Sequence, residues 1–316
     1  MIHSLVLSDG TIDEQKVLKK ERVYQGMNGR YVERFFINHD QSYIFKPLTN
    51  DSQIGKELWV HNHILKELPS IYPRLIAYSI DANSHWIIFE DLGVMDHRFS
   101  DESVLGVIKL MAHWHKTTPD IIEGFPQKGP KPSIEEVVEH LKIRKDDVKR
   151  LAANYHIPVS TIESLFIQLN HISFQQQKVL SHGDLHLGNF GYAKGKLFII
   201  DWEHAHLNYP YWDLYHLLDI SHPVFPKRIN KNLRNTALEL YIDETDHLRR
   251  PPIRNSFKQD YYLFSSAFSL WMILLIEGNL ERNDVRWSKE QLKQQIEETV
   301  LSFKQCIDEL FGKKDF

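Results

Sequence analysis

The stretch from Val179 to Asp201 constrains this chain more than any other. Residues 181–202 read Ser-His-Gly-Asp-Leu-His-Leu-Gly-Asn-Phe-Gly-Tyr-Ala-Lys-Gly-Lys-Leu-Phe-Ile-Ile-Asp-Trp. A polar loop holds Asp184 and Asn189 with four residues between them. Gly195, between Lys194 and Lys196, marks a hairpin turn. An apolar run, Leu197 to Ile200, then ends on Asp201, twelve residues after Asn189. The alternation and turn signals predict a strand-loop-strand unit.

The elements around this unit divide the chain. Before it, short alternating runs at Val17–Tyr24, Tyr31–Ile37 and Gln41–Lys46 predict strands separated by Gly, Asn and Asp turns. Ile54–Leu68 has helical spacing at Leu58, Leu65 and Leu68. Leu75–Ser79 and His85–Glu90 read as further strands. Past Asp91-Leu92-Gly93 the pattern turns helical. Asp101–His115 has Ser100 as an N-cap and two acids in its first turn. Ser133–Ala153, Ser160–Gln177, Tyr261–Ile276 and Lys289–Phe311 follow. The expected division is residues 1–91 as a small sheet-bearing part and residues 92–316 as a larger helical one, in an α+β chain.

Composition narrows the partners. Among 316 residues the formal net charge is −4, which gives no reason to expect nucleic acid or a membrane surface. Cys306 is the one cysteine and cannot close an internal disulfide. The N-terminal apolar run is too short for a secretory signal. The apolar stretch Tyr261–Ile276 falls short of the ~20 residues of a membrane span and reads as a buried core helix. The expected location is the cytoplasm. Oligomeric state is not readable from these features.

The central loop has a chemistry. Phosphoryl transfer needs oxygen ligands for magnesium, neutralisation of the phosphates, and a carboxylate to orient the attacking hydroxyl. His182-Gly183-Asp184, four residues, Asn189, then Asp201 fits the kinase spacing. Asp184 is the candidate base, and Asn189 and Asp201 are the candidate magnesium ligands. Singly, each is an ordinary loop residue; together, between two apolar strands, they form a pattern. Zinc ligation by His182, Asp184 and His186, with His204 and His206 nearby, in a metal-dependent hydrolase, is the competing reading. It leaves the Asn189 and Asp201 spacings unexplained.

This segment resembles the aminoglycoside phosphotransferase and choline kinase superfamily, whose catalytic loop reads His-Gly-Asp-x-His-x-x-Asn. His182, Gly183, Asp184, His186 and Asn189 match it. The resemblance implies a bilobal protein-kinase-like fold, with a small antiparallel-sheet N-lobe and a larger, mostly helical C-lobe. It also implies ATP and Mg2+ as cofactors and transfer to a hydroxyl of a small molecule. Lys46 becomes the strand lysine for the phosphates and Glu57 its helical partner, with Glu67 as a less favoured alternative. Backbone groups from Glu90 to Leu92 are expected to bond adenine. The turn carrying Gly26 and Gly29 sits where a phosphate-covering loop belongs. It matches neither Gly-x-Gly-x-x-Gly nor Gly-Gly-x-x-Asn, and a plain hairpin turn explains it equally well.

His182 and His186 are expected to hold the loop, with His182 bonding backbone near Asp201. His115 and Asp213 are expected to brace it. Glu203 is a substrate candidate, because the run from Asp201 to Asp213 is similar to that of choline and ethanolamine kinases, and Trp212 is a candidate ring of the substrate pocket. An aminoglycoside, a sugar, a methylthioribose-like nucleoside fragment or a protein hydroxyl are the other acceptors the resemblance leaves open. Trp202, Tyr211 and Trp271 could add rings for a cationic amine acceptor, although each such ring, Trp212 included, is more often a core residue. A kinase-like binding protein of the spore-coat type, with little turnover, is the alternative of a different class.

Overall fold

The structure is a computed structural model that describes residues 2–26, 28–49, 55–81, 84–116, 128–174, 176–228, 230–246, 253–282 and 286–312. In chain order its elements are β1 (Lys19–Gln25), β2 (Tyr31–Asn38), β3 (Gln41–Pro47), α1 (Lys56–His63), β4 (Leu75–Ser79), β5 (Trp86–Glu90) and α2 (Asp101–His115). There follow α3 (Ile134–Ile143), α4 (Lys145–Asn154), α5 (Val159–Asn170), β6 (Val179–Ser181), β7 (Phe190–Ala193), β8 (Lys196–Ile199) and β9 (His206–Asn208). The C-terminal helices are α6 (Tyr211–Leu218), α7 (Lys231–Thr245), α8 (Arg254–Glu281) and α9 (Lys289–Phe311). Two compact units emerge: Met1–Asp96 with Gly191–Ala205, and His97–Phe190 with His206–Phe316.

The first unit is built on an antiparallel sheet in the order β1-β2-β3-β5-β4. Alternation in β3 assigns its two faces. Phe45 joins Phe35, Trp86 and Ile88 in one apolar cluster, while Ile44 packs with Leu58 of α1, Ile87 and Phe89. Lys46, two residues from Ile44, therefore shares the face that α1 covers. The α-helix stops at His63, and a 3-10 turn spans Leu65–Glu67. The sequence pattern predicts a longer helix. Pro69 disfavours helical backbone in the residue before it, and Leu68 is extended at φ −96°, ψ 161°. Ile54, the expected start, lies outside the described residues. The β7–β8 hairpin returns to this unit, where Ala193 and Phe198 pack on Leu92 and Met95.

The second unit is helical, apart from the short antiparallel pair β6–β9. Its α2 begins as the sequence predicts. The Ser100 hydroxyl accepts from the Ser103 N–H in a capping box. Ser133 and Ser288 cap α3 and α9 in the same way. The long α8 is apolar enough by composition to cross a membrane, but 67% of its apolar window is buried in the protein. It packs against α9, with further contacts to α3, α5, α6 and α7. Asp219, fully buried, accepts from the Arg234 guanidinium at 2.9 Å, from Ser302 at 2.6 Å and from Ser265 at 3.2 Å. Paired and hydrogen-bonded in this way, it can stay ionised in the core.

Two expected helices are shorter than their patterns. Ser133–Ala153 is divided at Arg144 into α3 and α4. Ser160–Gln177 ends at Asn170, because Phe174 leaves the helix to pack among Tyr209, Tyr211 and Phe264.

Candidate active site

The sequence-predicted groups fall into two sets, one in each unit. In the first, the Lys46 ammonium lies 2.7 Å from Glu57 Oε2, 2.6 Å from Asp201 Oδ1 and 3.1 Å from Glu203 Oε2. The sheet brings Lys46 to α1, and Glu57 occupies the first turn of that helix. Asp201 follows β8 in the left-handed region, at φ 66° and ψ 61°. A non-glycine residue pays for that conformation, and such outliers gather at functional sites.

Three carboxylates surrounding one ammonium leave an excess of negative charge. Burial pushes the Glu57 carboxyl up to about 7, reinforced by Asp201 and Glu203 and opposed by Lys46. Burial disfavours the charged form of Lys46, but the surrounding carboxylates outweigh it and hold the ammonium well above its ordinary range. Oxygens of Glu57, Asp201 and Glu203 lie within 4.8 Å of one another. These are hard ligands suited to magnesium. Among the described residues this is the one such group of His, Cys, Asp and Glu, and it contains none of the zinc candidates.

Glu203 thus stands in the lysine cluster. Its carboxylate also accepts from the Thr49 hydroxyl at 3.3 Å. The turn with Gly26 and Gly29 is tied to the same strand end: the Asn28 side-chain amide donates to the Leu48 carbonyl at 2.7 Å. Met27, within this turn, lies outside the described residues. At the other end of the sheet, Glu90 accepts from the Arg74 N–H at 2.8 Å. Asp91 accepts from Arg34 Nε at 2.6 Å, the Ser42 hydroxyl at 2.7 Å and the Gly93 N–H at 2.8 Å. This anchor fixes the backbone between Glu90 and Leu92. The Asp91 carboxylate carries no local signal in the sequence, because its side-chain partners Arg34 and Ser42 come from two other strands.

The second unit holds the loop from His182 to Asn189. Gly183 has φ 87°, a conformation that only glycine adopts freely. The loop rests on Asp213, which is fully buried. Asp213 accepts from the backbone N–H of His182 at 2.8 Å and of Gly183 at 3.2 Å. It also accepts from Ser181 Oγ at 2.6 Å, Trp114 Nε1 at 3.1 Å and His115 Nε2 at 3.2 Å. Burial opposes its charge, yet the His115 contact, the nearby His182 and these donors hold the carboxyl far below the usual range. His182 Nδ1 accepts from the Asp184 N–H at 3.4 Å.

His186 caps the 3-10 turn that follows. Its Nδ1 accepts from the Gly188 N–H at 3.0 Å, which in the neutral ring puts the proton on Nε2, 3.6 Å from Asp184 Oδ2. The Asn189 amide nitrogen donates to the Asp184 carbonyl at 2.8 Å, leaving the amide oxygen as the group suited to a cation.

The rings expected at a substrate pocket are inside the core. Trp202, Tyr211 and Trp212 are 0% exposed and Trp271 is 8% exposed. The Trp212 N–H donates to the Gly183 carbonyl at 3.0 Å, so this ring supports the loop and offers no open face. Three residues beside Asp184 carried no motif signal. Lys131 Nζ lies 3.2 Å from Asp184 Oδ1 and 3.1 Å from His216 Nε2, and His222 stacks on His186 at 4.4 Å.

A sequence model described as "APH: Phosphotransferase enzyme family" matches residues 86–250. The chain belongs to the phosphotransferase enzyme family. No curated protein sequence matches it. Solved structures share the fold at low identity. The choline kinase LicA from Streptococcus pneumoniae is 16% identical, with a TM-score of 0.52 over 92% of this chain and 94% of that one. A choline kinase from Cryptosporidium parvum Iowa II is 14% identical, with a TM-score of 0.56 over 97% and 94%. The GDP complex of aminoglycoside 2'-phosphotransferase-IIIa is 16% identical, with a TM-score of 0.55 over 92% and 95%. The kinase-like α+β fold expected from the catalytic loop is therefore the fold of this family member.

Proposed function

We propose that this phosphotransferase moves the γ-phosphoryl group of ATP to a hydroxyl of a small molecule, with magnesium. The observation that carries the reading is the Lys46 ammonium held between Glu57 at 2.7 Å and Asp201 at 2.6 Å. An ammonium fixed by carboxylates is pre-placed to neutralise phosphate oxygens and costs no reorganisation when they arrive.

Each unit supplies its own groups. In the first, Lys46 binds phosphate, Glu57 orients Lys46, and Asp201 is a magnesium ligand, with Glu203 beside it. Backbone of Glu90 to Leu92 receives the adenine, and the turn of Gly26 and Gly29 lies over the phosphates. In the second, Asp184 accepts the proton of the acceptor hydroxyl and orients its oxygen. Asn189 is a magnesium ligand through its amide oxygen. His182, His186 and Asp213 hold the loop. Magnesium, when bound, neutralises phosphate charge. The protein acts in the cytoplasm on a soluble acceptor.

Calorimetric titration with ATP, with and without magnesium, tests this reading. Binding that requires magnesium and is lost in Lys46→Ala supports it. Magnesium-dependent binding with no transfer to any acceptor would instead mark a kinase-like binding protein.

A further inference from the structure

The surroundings of Asp184 say what kind of hydroxyl compound it meets. Lys131 is placed there by built features. Ser133, two residues on, caps α3. Gly129, two residues before, lies so close to His206 that a Cβ there would sit 2.3 Å from the ring, so only glycine lets the backbone pass. The ammonium is then held from below. His216 is fully buried, and its Nδ1–H donates to the Trp212 carbonyl at 2.9 Å. Its Nε2 is therefore an acceptor, and it takes a hydrogen bond from Lys131 at 3.1 Å. Burial, and then Lys131, push this imidazole down to about 3, so it adds no charge of its own.

Lys131 itself meets one carboxylate, Asp184, and one neutral ring, His216. His186 stacks on His222 at 4.4 Å, and His222 meets the edge of Trp287. Burial first, and then His186, Lys131 and Arg286, disfavour a charge on His222, while Asp184 opposes them. Asp184 and Lys131 each keep 24% of their side-chain surface exposed. A cationic acceptor whose hydroxyl bonds Asp184 would bring its charge against Lys131, which lies 3.2 Å from Oδ1 of that carboxylate.

We propose that the acceptor carries an oxyanion, a carboxylate or a phosphate ester, near its reacting hydroxyl, and that Lys131 is the specificity-determining residue that binds it. This rests on the phosphotransferase reading. It runs against the amine-bearing acceptor that the sequence continuation after Asp201 suggests. An ammonium held by a neutral imidazole can turn from Asp184 to an incoming oxyanion, and the carboxylate is then released to accept the hydroxyl.

The test is titration of the full chain, saturated with magnesium and a non-hydrolysable ATP analogue, with glycerate, glycerol 3-phosphate, glycerol and choline. Saturation keeps the added anions from the nucleotide groups. At least one of the two oxyanions binds tenfold or more tighter than glycerol, choline gains nothing, Lys131→Met removes the preference and Lys131→Arg keeps it. The two oxyanions separate carboxylate from phosphate ester. Choline binding tightest, no probe exceeding glycerol, or a preference that survives in folded Lys131→Met each overturns the proposal. If Lys131→Met does not fold, the wild-type ranking and Lys131→Arg decide. Failure of the ATP analogue to bind with magnesium is read first, and it rejects the phosphotransferase reading instead.

Discussion

Lys46 Nζ lies 2.6 Å from Asp201 Oδ1, a contact between residues 155 positions apart in the chain. It joins the strand lysine to the aspartate that ends the hairpin. The same ammonium touches Glu57 and Glu203, so one cation serves three carboxylates.

Removing that cation has two consequences. Lys46→Met deletes the ammonium proposed to bind phosphate and leaves Glu57, Asp201 and Glu203 without their cation. We expect the Kd for ATP with magnesium to rise by about tenfold or more, corresponding to about 1.4 kcal/mol. Glu57 then keeps its proton to higher pH, because its favourable partner is gone. Calorimetry with ATP, in parallel on the parent and the variant, checks the first. The carboxyl carbon shift of Glu57 across pH checks the second.

Asp213 supports the loop through charge and geometry. Asp213→Asn keeps the shape but turns one acceptor oxygen into a donor facing N–H and O–H groups. Leaving such buried partners unmatched costs about 2–4 kcal/mol. The urea midpoint should fall, and transfer should fall more than ATP binding, because the bonds lost are those of His182 and Gly183. A variant with unchanged midpoint would show that the loop is held by other contacts.

Acid should destabilise this protein early. Burial lowers His61 to about 4, and burial first, with nearby cations next, lowers His216 and His222 to about 3, from an ordinary 6.5. The unfolded chain therefore binds protons below pH 6.5 that the folded chain refuses. These groups stabilise the fold above that pH, and the contribution is lost as pH falls towards 3, by up to about 1.4 kcal/mol per pH unit for each proton. The depressed Asp213 adds a further loss below the ordinary carboxyl range. The raised Glu57 carboxyl works the other way between about 7 and its ordinary 4.5, but one such proton against three histidines leaves the sign unchanged, so urea midpoints should decline from pH 6.5 to 4. A flat profile across that window contradicts the burial of neutral histidines.

The loop from His182 to Asn189 was legible because local spacing specifies it: the turn, the metal-suited amide and the carboxylate lie within one short segment. Lys46 and Glu57 were legible by their order, a strand lysine followed by an acid in the first turn of a helix. Lys131 was not, because its meaning depends on His216 and Asp184, which come from other parts of the chain. The division of Ser133–Ala153 was hidden by phase. Val137, Leu141, Val148 and Leu151 are buried, and the step from Leu141 to Val148 is a full heptad, so the apolar stripe runs through Arg144 as if the helix were continuous. Trp212 and Trp271 are core rings, and nothing in the sequence separates a core ring from a pocket ring, because an aromatic residue looks the same in both.

The most direct test of the account is single-turnover transfer from labelled ATP with magnesium, comparing the parent with Asp184→Asn on the best acceptor found. The asparagine keeps the size of the side chain but cannot accept the hydroxyl proton. We expect transfer to fall by about 10²–10⁴-fold, while the Kd for ATP stays within about threefold. Transfer by Asp184→Asn at the parent's rate would contradict the assignment of Asp184 as the catalytic base.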